Sequence, residues 1–107
     1  MGFELIEKFL DSKWIQENVT EVQRLIVSLP TFSKQVDEGE FWLKDLSYNS
    51  DWEYDARIFL NQKDHLLIEV SSFSKAFFQD IKLLHEALRS NTPVTLMDDD
   101  GEEYQFK

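Results

Sequence analysis

Glu40–Asn61 reads EFWLKDLSYNSDWEYDARIFLN, and the spacing of its apolar residues decides the fold class. In Glu40 to Tyr48, and again in Trp52 to Asn61, apolar and polar side chains recur with a period near two, the period of a half-buried strand. The second run places Tyr54, Ala56, Ile58 and Leu60 on one face and Asp55, Arg57 and Asn61 on the other. Tyr48-Asn49-Ser50-Asp51 supplies turn residues between the two strands. After Gln62-Lys63-Asp64 the alternation resumes in Leu66, Ile68 and Val70. Three consecutive strands with short connections predict an antiparallel meander.

Toward the N-terminus the period is helical. Phe3, Ile6, Leu10 and Trp14, with Phe9 beside them, follow three-or-four spacing and predict a helix over about residues 3 to 17. Thr20-Glu21-Val22-Gln23 has the form of a capping box and opens a second helix whose stripe is Val22, Leu25, Ile26 and Leu29. Pro30 stops it, because proline disfavours helical geometry in the residue before it; the alternative is one long kinked helix. Thr31 to Gly39 reads as a loop.

Toward the C-terminus, Ser72 or Ser74 can cap a third helix with Phe73, Phe77, Ile81, Leu84 and Leu88 on one face and Ala76, Leu83 and Ala87 near it. Asn91 and Pro93 end that helix. Val94 to Met97, the acidic turn Asp98-Asp99-Asp100-Gly101 and Glu103 to Phe106 then read as a hairpin. The expectation is an α+β protein forming a single globular domain over residues 1–107: two N-terminal helices, an antiparallel sheet of four to five strands, and a further helix packed on one face.

Composition narrows the function. The chain has no cysteine, which removes disulfides, thiolate metal sites and cysteine nucleophiles. Its N-terminus lacks a basic leader, no stretch approaches the roughly 20 apolar residues of a membrane span, and Ile6 stands where a myristoylation signal wants Ser or Thr. The expected location is cytoplasmic. The formal charge is −10, and its distribution is uneven: residues 37–55 hold −6 and residues 98–107 hold −4. Such a surface repels phosphate backbones and anionic membranes, so neither nucleic acid nor membrane is an expected direct partner.

Catalytic and metal motifs are wanting. His65 and His85 begin no triad with Ser71, Ser72 or Ser74, and structural roles account better for both. Aligned to a calcium loop through Gly101, the acidic turn puts Leu96 at the first ligand position and Lys107 at the twelfth, where a bidentate Glu is required. With only Gly2, Gly39 and Gly101, there is no Gly-rich phosphate loop. No cofactor, no metal and no enzymatic activity are expected.

Binding is the stronger signal. Between Asp37 and Asp55 seven acids face one base, Lys44, with Phe41, Trp42, Tyr48, Trp52 and Tyr54 threaded among them. Half or more of that pattern is explained by strands with core-facing aromatics and acidic outer faces. Phe41 and Trp42 are adjacent, however, and point to opposite faces, so one of them needs a second layer or a partner. The expected binding residues are Trp42, Tyr48 and Trp52 as anchors, with Asp45, Asp51, Glu53 and Asp55 setting orientation and rate against something basic.

In size, absence of cysteine, acidity and α+β pattern the chain resembles a bacterial immunity protein of the contact-dependent growth inhibition type, and no individual site residue is carried over from that resemblance. The resemblance implies a toxin inhibitor, an antitoxin whose partner is a basic protein toxin, a nuclease foremost, covered at its active site. Two other readings stand beside it: a nucleic-acid-mimicking inhibitor of a defence or repair enzyme, and a structural or regulatory homodimer.

Overall fold

A computed structural model describes residues 3–44, 54–60, 64–71 and 75–104. The elements run β1 (Phe3–Phe9), α1 (Ser12–Glu17), α2 (Val19–Val27), β2 (Phe32–Asp37), β3 (Glu40–Leu43), β4 (Ala56–Phe59), β5 (His65–Val70), α3 (Lys75–Arg89) and β6 (Val94–Met97). The fold is α+β, with one antiparallel sheet in the order β2-β3-β4-β5-β1-β6. Six strands exceed the four to five expected, and the two additions are β1 and β2.

β1 corrects the helix expected from residue 3. The strand pairs on both sides, with β5 from Phe3↔Val70 to Lys8↔His65 and with β6 from Ile6↔Met97 to Phe9↔Val94. Leu5, Glu7 and Phe9 point inward and are all buried. A carboxylate at the middle inward position breaks the apolar alternation, which is why the helical spacing of Phe3, Ile6 and Leu10 looked more regular. Only the last part of the expected helix forms, as α1, capped by Asp11, whose Oδ1 accepts from the backbone N–H of Lys13 and Trp14 at 3.1 and 3.3 Å.

α2 forms as expected but without the capping box: its N-cap is Asn18, and Gln23 Nε2 instead donates to the Glu38 carbonyl at 2.9 Å. β2 replaces the expected loop. It is an edge strand exposed along nearly its whole length, so its sequence carries no burial alternation, and its pairing with β3 shifts register twice. The meander β3-β4-β5 matches the expectation, although β3 ends at Leu43 and β4 begins at Ala56.

One face of the sheet carries the core. Phe41, Leu43, Ala56, Ile58, Leu66, Ile68, Val70, Leu5, Phe9 and Leu96 meet Ile15, Val22, Ile26, Leu29, Phe77, Ile81, Leu84 and Leu88 from the helices. Each fully buried aliphatic or aromatic side chain contributes roughly 1.5–3 kcal/mol relative to exposure. Leu83, expected near the apolar face of α3, is exposed. Ser72, Phe73 and Ser74 lie outside the described residues. A polar clamp sets α3 against the start of β2: buried Asp80 accepts from Thr31 N–H at 2.7 Å and from Thr31 Oγ1 at 2.6 Å. Past β6 the chain turns at Gly101, whose φ of +83° suits a residue without a Cβ, and returns through a Met97↔Glu103 bridge. Residues 105–107 of the expected hairpin lie outside the described residues.

Candidate functional site

The described helices cover one face of the sheet, and no described helix packs on the opposite face. Across it the strand registers align Lys34, Trp42, Arg57, Glu69 and Glu4 in one row. A second row runs Glu40, Phe59, Leu67, Ile6 and Met97. The question left between Phe41 and Trp42 has an answer: Phe41 is fully buried in the core and Trp42 stands half-buried on the open face.

Trp42 is held on several sides. Its ring lies 4.8 Å from that of Tyr54, Lys34 Nζ sits 5.4 Å over it, and its Nε1 donates to Glu40 Oε2 at 2.7 Å. Arg57 is next in the row, with its guanidinium 4.7 Å from the Tyr54 ring and 5.3 Å from the Phe59 ring. It is hydrogen-bonded to Glu69 and lies 3.9 Å from Glu40, and the Glu69 bond above all holds it protonated. Arg57 Nε is buried with no hydrogen-bond acceptor among the described residues. Tyr54 thus links Trp42 to Arg57 on a sheet face that no described helix covers. At the end of the face Asp64 accepts from Lys8 Nζ at 3.1 Å and contacts His65 Nδ1 at 2.9 Å; these bonds, His65 first, hold its carboxyl below the usual range.

Of the residues expected to bind a partner, Trp42 lies on this face. Asp45, Tyr48, Asp51, Trp52 and Glu53 fall outside the described residues. Asp55 is a correction: it is fully buried rather than a surface acid. Its backbone bridges two strands, donating to the Leu43 carbonyl at 2.7 Å and accepting from Ser71 N–H at 2.8 Å. Of the acids between Asp37 and Asp55, Asp37 and Glu38 are described and exposed, in the β2–β3 turn beside Trp42's strand.

A second constellation escaped the sequence reading. Glu7 is 1% exposed in the middle of the core face, opposite Leu66 on β5 and Leu96 on β6. His85 reaches it from α3, with Nδ1 2.8 and 3.0 Å from the two carboxylate oxygens. Burial pushes the Glu7 pKa up, and the hydrogen bond to His85 opposes that rise. The His85 ring also lines a cleft of about 800 Å³, with Lys82, Glu86 and Arg89 on its α3 side. Val94, Leu96, Glu103 and Tyr104 form the facing wall. Tyr104 is fixed by its N–H to the Leu96 carbonyl at 2.8 Å and by stacking on Phe78, and burial raises its pKa. A strand reading of Phe3–Phe9 would have flagged Glu7 as an acid on a buried face.

Among the described residues the carboxylates close enough to share a metal ion are Asp98, Asp99 and Asp100. Asp98 Oδ1 already accepts from the N–H of Asp100 and Glu102, both at 3.0 Å, so it serves the turn. No helix is long and apolar enough to cross a membrane. Comparison with protein-family models, curated proteins and solved structures finds no match.

Proposed function

We propose that the chain is an immunity protein that binds and neutralises a basic bacterial toxin, a nuclease foremost, acting in the cytoplasm. The open sheet face around Trp42 is laid on the toxin, and the neighbouring acids steer the approach. One observation carries this reading: Tyr54 touches both Trp42 and Arg57 on a face that no described helix covers. Those three residue types dominate the energetics of protein interfaces, because each offers a large rigid surface and a directional polar group. A core needs none of them there, since the apolar side of the same strands already closes against the helices. The net charge of −10 supplies the second half. Enzymes that grip phosphate backbones present cationic clefts, and an acidic inhibitor gains association rate against them.

The test pairs this chain with a basic nuclease domain encoded beside its gene. Cells producing both should survive with the wild-type chain and die with a Trp42→Asp, Arg57→Glu variant that keeps its fold by circular dichroism. The association rate should fall steeply between low and physiological salt. Survival with the double variant, or a rate indifferent to salt, would refute the proposal.

A further inference from the structure

We propose that the cleft between α3 and the β6 hairpin is a binding site for a small monocarboxylate with an apolar or aromatic body. The α3 wall presents Lys82, His85 and Arg89, spaced so that successive turns of one helix stripe face the cleft. Among the described residues neither Lys82 nor Arg89 is engaged in an ion pair or hydrogen bond. That is notable because Glu86 stands at helix spacing from both, four residues from one and three from the other, where pairs ordinarily form. In a protein with 21 acids two cations are held open on one cleft wall. An arginine left this way offers the planar fork that a carboxylate fits.

His85 is fixed between them from behind. With Glu7 ionised, its carboxylate can only accept, so His85 Nδ1 carries the proton of the 2.8 Å bond and the ring cannot turn about it freely. A buried acid with a single histidine donor among the described residues is costly as cement and effective as an orienting post. His85 is therefore a positioned wall residue rather than a mobile surface ring.

The facing wall decides the rest of the ligand. Leu96 is buried in the core, so the apolar part of this wall is a narrow strip formed by the half-buried Val94 and Tyr104 side chains in a largely polar cleft, and stacking of Tyr104 on Phe78 at 6.5 Å keeps that strip in place. A volume of about 800 Å³ lies in the range of small-molecule sites. Glu86 and Glu103 at the rim, within a net charge of −10, repel a dianion about twice as strongly as a monoanion, which favours a carboxylate over a phosphate monoester. The site shares no residue with the open sheet face, so the two proposals stand or fall separately.

The experiment is an amide and side-chain NMR titration of the full chain with benzoate, acetate and inorganic phosphate. Benzoate should produce saturable shifts confined to residues 82–89 and 94–104, tighter than acetate and tighter than phosphate. Arg89→Ala, at an exposed position, should keep the melting temperature and weaken benzoate about tenfold or more. Benzoate that fails to saturate by roughly 20 mM, or that binds the Arg89→Ala variant as well as the wild type, would overturn the proposal. Phosphate binding at the same residues as tightly as benzoate would overturn the carboxylate assignment, and acetate matching benzoate would overturn the role given to the apolar wall.

Discussion

Replacing Glu7 by leucine should make the protein more stable at neutral pH, although it deletes the side-chain bond between β1 and α3. Glu7 is 1% exposed, and among the described residues its two carboxylate oxygens share a single donor, His85 Nδ1. Leucine would join Leu5, Phe9, Leu66 and Leu96 with about the same volume and gain roughly 1.5–3 kcal/mol of burial. His85 would lose a charge-assisted bond, but its side chain is 16% exposed at the cleft and can turn to water. With the burial gain set against the loss of the His85 bond, a net gain of about 1 kcal/mol, or roughly 5 °C in Tm, is expected. The pH dependence carries the same information. Because burial raises Glu7 above its ordinary value of 4.5, the folded state holds that proton more tightly than the unfolded chain does. Glu7's contribution is therefore full below about 4.5 and is lost as pH rises through the folded value. Urea melts of wild type and Glu7→Leu from pH 4 to 8 should diverge upward through that window, with the wild type alone losing this increment. A variant less stable than wild type by about 2 kcal/mol at pH 7, or one with the same pH slope, would show that the pair is structural cement and refute the reasoning.

Asp80→Ala should cost about 3–4 kcal/mol in chemical denaturation, since it strands the buried N–H and hydroxyl of Thr31, while Asp80→Asn, which keeps an acceptor, should cost less. Asp55→Lys should lower Tm sharply by burying a cation, at a cost of about 3 kcal/mol or more, whereas Asp37→Lys and Glu38→Lys should stay within about 0.5 kcal/mol of wild type. Calcium should give no saturable heat at micromolar concentration in calorimetry, because Asp98 is committed to its turn.

What was legible in the sequence follows from how each element is buried. β4 and β5 alternate because their core-facing positions, such as Ile58, Leu66 and Ile68, sit opposite half-exposed ones. α3 shows its stripe in Phe77, Ile81, Leu84 and Leu88 for the same reason. β1 was hidden by a single residue, since Glu7 occupies a core position that the pattern reserves for an apolar side chain. β2 was hidden by its place at the edge, where pairing is made by backbone groups that carry no side-chain signal. That one of Phe41 and Trp42 lies off the core was legible because two adjacent aromatics on a strand cannot share one core, and the structure buries Phe41. The contact of Trp42 with Tyr54 and its place opposite Arg57 required the register of β3 against β4. The cleft was out of reach for a different reason: Glu7 and His85 are 78 residues apart, and only the packing of α3 over β1 brings them together.

We propose the sheet face around Trp42 as the protein-binding surface. A binding isotherm of the chain against a basic nuclease toxin domain, for wild type and Trp42→Ala, decides this. A loss of about 2 kcal/mol or more, some thirtyfold in Kd, with Tm changed by only a few degrees is the predicted result. An unchanged Kd with the fold intact would contradict it.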